Sequence, residues 1–252
     1  MNVAILHPSL NSGGGSERVC LDIIDALKRD GYNVSLCTFE KTDWTTVERY
    51  YGKFTKPDKE IVGRKFLWDF TYGKMVNFSL LSLKIYKSSD IIIISSTSPN
   101  VFGILNTYPY SGKKFVFYIN MIPFIYQGNM WRFYYTPYIL IQKKRLSRIN
   151  KGSILVNSSF AAKIIEGTFG VNPTVIYPPV DIKNFYFSKK QDLIVSVGRF
   201  SPFKRFEVLI KSLMNIDEGK CVIMGSVAKN AIKESVISVS YTHLTLPTKR
   251  IV

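Results

Sequence analysis

The stretch Val3-Ala-Ile-Leu-His-Pro-Ser-Leu-Asn-Ser-Gly-Gly-Gly-Ser-Glu-Arg-Val19 decides the fold. Val3–Leu6 is a short apolar run ending at His7-Pro8, the pattern of a buried first strand. Asn11–Ser16 is a flexible glycine loop. The helix that follows puts Val19, Ile23, Ala26 and Leu27 on one face, with Gly31 where a C-terminal cap belongs. Tyr32–Phe39 then alternates as a strand through Val34, Leu36 and Thr38. Strand, glycine loop, helix and strand form a βαβ unit, which predicts an α/β fold on a parallel sheet.

The same alternation continues outward. Asp90 precedes Ile91–Ile94, a run suited to a strand buried on both faces. Lys114–Tyr118 and Ser153–Val156 read as further strands, Ser158–Glu166 as a helix and Thr174–Ile176 as a short strand. Tyr177-Pro178-Pro179 is extended, because proline bars helix there. Leu193–Val197 opens a second βαβ pattern, with Gly198 as its glycine, Phe206–Met214 as its helix and Cys221–Met224 as its next strand, ending at Gly225. The expected organisation is a first domain over residues 1–180 and the start of a second over 181–238, joined near Pro178–Phe187. The last stretch, Val239–Val252, fits nothing around it and resembles a translated sequencing-adapter read-through, so the native chain is expected to continue past Ser238.

Composition narrows the function classes. With 34 Lys and Arg against 18 Asp and Glu in 252 residues, the net charge is +16, while 46% of residues are apolar. A core is easily built and wholesale disorder is excluded. The cationic excess points to an anionic partner: nucleic acid, a phosphate-bearing substrate or an acidic membrane surface. Cys20, Cys37 and Cys221 are too few and scattered for a disulfide framework and read as small apolar residues in a reducing compartment. The N-terminus has neither the basic region nor the long apolar core of a signal peptide. Ile91–Gly112, the longest uncharged stretch, is broken by Ser, Asn, Pro and Gly and does not suit a spanning helix.

Two motifs carry chemistry. A glycine loop between a strand and a helix lets backbone N–H groups approach an anion, and Gly13-Gly14-Gly15 before Glu17 has that placement. It is neither G-x-G-x-x-G nor a Walker loop, and a loop permitting close domain contact is the equal alternative. Glu17 and Arg18 read as helix-capping and surface residues. In the second motif, Val197-Gly198-Arg199 ends a buried strand and Lys204 follows in the loop before the next helix. Cations at the carboxyl end of a parallel sheet stand where such sheets bind ligands. Arginine grips a diphosphate through its planar fork and lysine as a point charge.

In order along the chain, these motifs resemble family 4 glycosyltransferases. His7-Pro8, Gly13-Gly14-Gly15-Ser16-Glu17-Arg18-Val19 is similar to the family's opening. Val156-Asn157-Ser158-Ser159 with Val175-Ile176-Tyr177-Pro178-Pro179-Val180-Asp181 is similar to its domain junction, and Ser196-Val197-Gly198-Arg199-Phe200 with Lys204 to its donor-diphosphate motif. The resemblance spans Met1 to Gly225 and is strongest to the α-1,2-mannosyltransferases that extend dolichol-linked oligosaccharide. It implies the GT-B fold, two Rossmann-like domains, and transfer of a hexose from a nucleotide-diphosphate sugar with retention and without a metal or cofactor. GDP-mannose is the favoured donor, with a UDP-sugar as the other. Arg199 and Lys204 would then bind the donor diphosphate and stabilise it as it leaves. Gly13, Gly14 and Gly15 would lie beside donor phosphate and acceptor, Gly198 and Gly225 would let the nucleotide lie close, and Asp181 would fix the hinge. Where the family usually has a histidine after a first-domain strand, this chain has Asn120, which keeps only a hydrogen-bonding role. The family's downstream acidic pair lies beyond the end of this chain, so the chain as written is expected to be inactive.

Between Ser111 and Ile165 lie nine cations and no acid, interleaved with Phe124, Tyr126, Trp131, Phe133, Tyr134, Tyr135 and Tyr138. Arg132, Lys143, Lys144 and Arg145 with Trp131 and Tyr134 suit an acceptor or membrane surface, rings among headgroups and cations on anionic lipid. A partly buried aromatic element with a solvated basic face is the competing reading; nucleic-acid binding would use the same features but no recognised motif accompanies it. The combined expectation is a glycosyltransferase peripheral to the cytoplasmic face of a membrane, with a lipid-linked or polysaccharide acceptor and no nucleic-acid partner. A non-catalytic sugar-nucleotide-binding or scaffold protein is the alternative from another class.

Overall fold

The computed structural model describes residues 1–63, 71–96, 114–120, 129–146, 153–182, 185–198, 200, 204–214 and 220–225. It divides into two compact units, Met1–Val180 and Asp181–Val252. Residues 239–252 lie outside the described residues.

In the first unit the strands are β1 (Asn2–Leu6), β2 (Asn33–Thr38), β3 (Lys59–Val62), β4 (Ile91–Ser96), β5 (Lys114–Ile119), β6 (Ile154–Val156) and β7 (Thr174–Val175). The helices are α1 (Gly15–Arg29), α2 (Trp44–Tyr51), α3 (Thr71–Tyr86), α4 (Asn129–Leu146) and α5 (Ser159–Phe169). The strands make one sheet in the order β3-β2-β1-β4-β5-β6-β7, with every pair parallel.

Strand alternation sends side chains to two cores. Ile5, Val34 and Leu36 meet Cys20, Leu21 and Ile24 of α1 and Val47 of α2 on one face. Ala4, Leu6, Ile92, Ile94 and Phe117 meet Phe78, Leu81 and Ile85 of α3, Leu146 of α4, and Ile165 and Phe169 of α5 on the other. A sheet covered on both faces needs near-continuous apolar strands, which is what Val3–Leu6 and Ile91–Ile94 supply. The α/β class expected from the first βαβ unit is the observed one.

One expectation needs correction. Ala26, placed by the sequence reading on the buried face of α1, is exposed. Val19 is buried as expected and Ile23 and Leu27 pack half-buried against the core, but the buried face also runs through Glu17, Cys20, Leu21 and Ile24, because Cys20, Leu21 and Ile24 fill the space over Ile5 and Leu36. This rotation carries a carboxylate inward. At the far end Gly31 takes φ +80°, past the C-cap residue Asp30.

The second unit contains β8 (Leu193–Val197), α6 (Phe206–Leu213) and β9 (Lys220–Met224). β8 and β9 pair in parallel from Leu193 with Lys220 to Val197 with Met224. Among its described residues Phe206, Ile210 and Cys221 are the buried apolar ones.

Candidate functional site

The strand order of the first unit reverses between β1 and β4. From β1 the chain steps to β2 and β3 on one side, and from β4 to β5, β6 and β7 on the other. The carboxyl ends beside such a reversal are where open α/β sheets take ligands. His7 follows β1 there, Ser95 lies at the end of β4, Asn120 follows β5 and Asn157 follows β6.

These four residues are joined. Asn120 donates from Nδ2 to Ser95 Oγ at 3.4 Å, and Asn157 donates from Nδ2 to the Asn120 carbonyl at 2.6 Å. Ser158 follows as the N-cap of α5, its Oγ accepting from the Ala161 N–H at 3.2 Å. His7 is 1% exposed; its main-chain N–H donates to the Cys37 carbonyl at 3.0 Å, and its imidazole is hydrogen-bonded to the Ser95 backbone. Burial drives its pKa down to about 4, against the opposing pull of Glu17 and the Ser95 bond. Its Nδ1 has no hydrogen-bond partner among the described residues.

The glycine loop sits at the head of α1. Gly13 takes φ +65°, and a Cβ there would stand 2.9 Å from the Tyr50 ring, so both backbone and neighbour require glycine. Gly14 is the N-cap of α1 without a side-chain cap, and its carbonyl accepts from Tyr51 Oη at 2.6 Å. A Cβ on Gly15 would meet nothing within 4 Å. Arg18 pairs with Asp22 at 3.0 Å and reaches the Tyr51 carbonyl at 3.3 Å, a structural use of that cation.

Glu17 is buried at 7% exposure and accepts hydrogen bonds from Ser12 Oγ, from Ser16 Oγ at 2.8 Å and from its own main-chain N–H. Burial opposes its ionisation; the serine hydroxyls, that N–H and the neighbouring His7 outweigh burial and hold the carboxyl below its ordinary range. The head of α1 therefore carries a fixed negative charge.

In the second unit the candidates converge at the carboxyl ends of β8 and β9. The Gly198 N–H donates to the Met224 carbonyl at 2.9 Å. A Cβ on Gly225 would stand 1.8 Å from the Gly198 carbonyl oxygen, so a side chain there forces the two loops apart. The aliphatic stem of Lys204 lies 3.6 Å from the Cβ position of Gly198, and Lys204 is exposed, so this cation borders the junction. Arg199 lies outside the described residues. A concavity against Gln191, Asp192, Leu193 and Lys220 is at the amino ends of the same strands, away from Gly198 and Lys204.

On α4, Phe133 is 83% and Leu140 62% exposed, and Tyr134, Lys143 and Lys144 are exposed as well. Leu146 of the same helix is buried in the core. The helix thus presents an apolar and basic outer face. Trp131, Arg132 and Arg145 belong to α4, but their side chains lie outside the described residues. Among the described residues no helix is long and apolar enough to cross a membrane.

The structure thus joins Asn120 to its neighbouring strands and brings Gly198, Lys204 and Gly225 together in the second unit. Sequence reasoning missed His7 and Glu17 as members of the first site. The signal was present: Glu17 is in helical phase with Leu21 and Ile24, and a carboxylate on the apolar face of a helix needs a partner.

Residues 13–184 match the model of Glycosyltransferase Family 4. A search of curated proteins returns no match. Among solved structures, Anabaena HepE in complex with UDP and glucose superposes with TM-score 0.64 at 14% identity, covering 95% of this chain and 64% of that one. A glycosyltransferase from Rickettsia africae gives 0.59 at 17%, covering 95% and 63%. The lipopolysaccharide outer core galactosyltransferase WaaB, in its apo form, gives 0.58 at 19%, covering 95% and 64%. At these identities the likeness is one of fold, the α/β arrangement of GT-B glycosyltransferases. The chain spans somewhat over six-tenths of the length of these structures.

Proposed function

Because the chain belongs to glycosyltransferase family 4, we propose that it carries the first domain and the start of the donor domain of an enzyme that transfers a hexose from a nucleotide-diphosphate sugar. The observation that carries this reading is the cluster of Gly198, Lys204 and Gly225 at the carboxyl ends of β8 and β9, in a chain with that family match. Two touching glycine backbones leave room for a flat nucleotide, and Lys204 supplies positive charge beside them. With Arg199 next to Gly198 in sequence, two cations neutralise the diphosphate as its bond to the sugar breaks, which is electrostatic stabilisation of a leaving group. No metal is needed for that step. Within the first unit, Gly13, Gly14 and Gly15 at the head of α1 are candidate ligand-contacting residues, and Asn120, held by Ser95 and Asn157, orients a hydroxyl by hydrogen bonding alone. Mannose from GDP-mannose is the favoured donor, transferred with retention; a UDP-sugar is the other candidate, in keeping with the UDP and glucose in the HepE complex. Made at the length of its structural relatives, the protein should transfer labelled hexose from one of these donors into a lipid extract, with an α linkage in the product. Absence of transfer from every nucleotide sugar tried would overturn the reading.

The acceptor is lipid-linked or a polysaccharide, and the enzyme works peripherally at the cytoplasmic face of a membrane. Support comes from the exposed Phe133, Tyr134, Leu140, Lys143 and Lys144 on α4, since aromatic and aliphatic side chains enter the headgroup layer and each lysine adds about 1 kcal/mol against anionic lipid. The protein should float with phosphatidylglycerol vesicles and not with phosphatidylcholine vesicles. The double variant Lys143→Glu/Lys144→Glu should float about tenfold less. Equal flotation with both lipids, or none with either, counts against a membrane-bound acceptor.

A further inference from the structure

We propose that Asn157 is a positioning residue for the transfer step and acts on it through Asn120; this rests on the sugar-transfer reading, in which Asn120 orients a hydroxyl. The parallel pairing of β5 with β6 ends at Ile119 and Val156. Asn120 and Asn157 come next on the two strands, and both are half-buried. The Asn157 side chain carries the pairing one rung further, since its Nδ2 donates to the Asn120 carbonyl at 2.6 Å. An amide nitrogen donates and a main-chain carbonyl only accepts, so this bond fixes which end of the Asn157 side chain faces β5.

The other end of that side chain is set from α5. Ser158 Oγ donates to Asn157 Oδ1 at 3.2 Å while it accepts from the Ala161 N–H at 3.2 Å as the N-cap. A hydroxyl carries one proton and two lone pairs, so it makes both bonds at once. Asn157 is therefore held at both ends, between the start of a helix and the end of a strand. Asn120 in turn is held twice: its main chain by Asn157, and its Nδ2 by Ser95 of β4 at 3.4 Å. Neither bond alone fixes the Asn120 amide. With Nδ2 and Oδ1 both engaged inside the protein, Asn157 influences a ligand by relay, through the geometry it imposes on Asn120. A misplaced orienting group costs the chemical step more than it costs binding.

The test is a double-variant cycle on hexose transfer by the protein made at the length of its structural relatives. Asn157→Asp keeps the side chain's size and its acceptance from Ser158 but turns an oxygen to the Asn120 carbonyl. It should lower kcat about tenfold and leave the KM for the nucleotide sugar within about twofold, because the nucleotide is held by Lys204 and its neighbours. In an Asn120→Ala background the same substitution should lower kcat no further, since the group it acts through is gone. Asn157→Ala, which only removes the donor, should follow the same pattern, so the cycle stands if the aspartate variant fails to fold. Equal losses of kcat in both backgrounds, or a change confined to KM, would overturn the proposal. A second readout needs no turnover: in the present chain labelled with nitrogen-15 asparagine, Asn157→Ala should move the Asn120 side-chain amide resonances and leave those of Asn2, Asn11 and Asn33 in place. Unmoved Asn120 resonances would overturn the proposal as well. Absence of transfer from every nucleotide sugar would count against the sugar-transfer reading, and the Asn120 resonances would then decide by themselves whether Asn157 holds Asn120.

Discussion

Acidification from pH 6.5 to 4 should cost the first unit on the order of 3 kcal/mol through His7 alone. The ordinary imidazole titrates at 6.5, and burial drives His7 down to about 4 in the folded chain. Between those values the unfolded chain binds a proton that the native chain refuses, so stability falls as pH falls. Above pH 6.5 His7 is neutral in both states and contributes no slope. Below about 4 both states are protonated and the slope ends. Glu17 acts in the same direction at lower pH: its carboxyl is held below the ordinary range, so its contribution is present above that range and is lost as the pH falls through its own titration. Urea midpoints measured at several pH values across this window check the prediction. His7→Asn should flatten the dependence between pH 6.5 and 4; an unchanged slope would place the acid sensitivity elsewhere.

How much of this was legible in the sequence depended on whether the local pattern and the tertiary role agreed. β1, β4, β5 and β6 were readable because a sheet covered on both faces needs short, largely apolar strands bounded by polar residues, and β2 by its alternation through Val34, Leu36 and Thr38. β3 was not. Lys59-Glu60-Ile61-Val62 is an edge strand with two charges in four residues, and only pairing with β2 makes it a strand. α2 was legible but not read: Trp44, Val47 and Tyr51 recur at helical spacing and pack into one core, and its start is marked by Asp43, which accepts from the Thr45 and Thr46 N–H groups at 3.1 and 3.2 Å as an N-cap. α4 mixes aromatic and aliphatic residues with Arg132, Gln142, Lys143, Lys144 and Arg145 without a clear helical period and contains Pro137, so the sequence pattern did not announce a helix. Its exposed Phe133 and Leu140 count against the competing reading of this stretch as a partly buried aromatic element.

The candidate residues of the two units differed in the same way. Gly198, Lys204 and Gly225 could be named in advance because each follows a strand or precedes a helix, and the chain's own connectivity brings them together. His7 and Glu17 come from different elements, and only the exact rotation of α1 turns Glu17 inward. Sequence spacing fixed the helix but not its angle about its own axis.

Lys204→Ala and Arg199→Ala should each weaken binding of a nucleoside diphosphate about ten- to a hundredfold, the value of one charge-assisted hydrogen bond to phosphate. Gly225→Ala should do so by another route, since its methyl group would stand against the Gly198 carbonyl and part the two loops. The three substitutions separate charge from shape. Lys204 is exposed, so its removal should leave folding unchanged and any loss of affinity can be assigned to the ligand. Calorimetric titration of the protein with UDP and with GDP is therefore the most direct measurement of the claim that the second unit opens a nucleotide-sugar site. The account predicts saturable binding of one of the two, reduced by each cation substitution and abolished by the pair. Binding of neither nucleotide, or binding indifferent to both Arg199→Ala and Lys204→Ala, would contradict it.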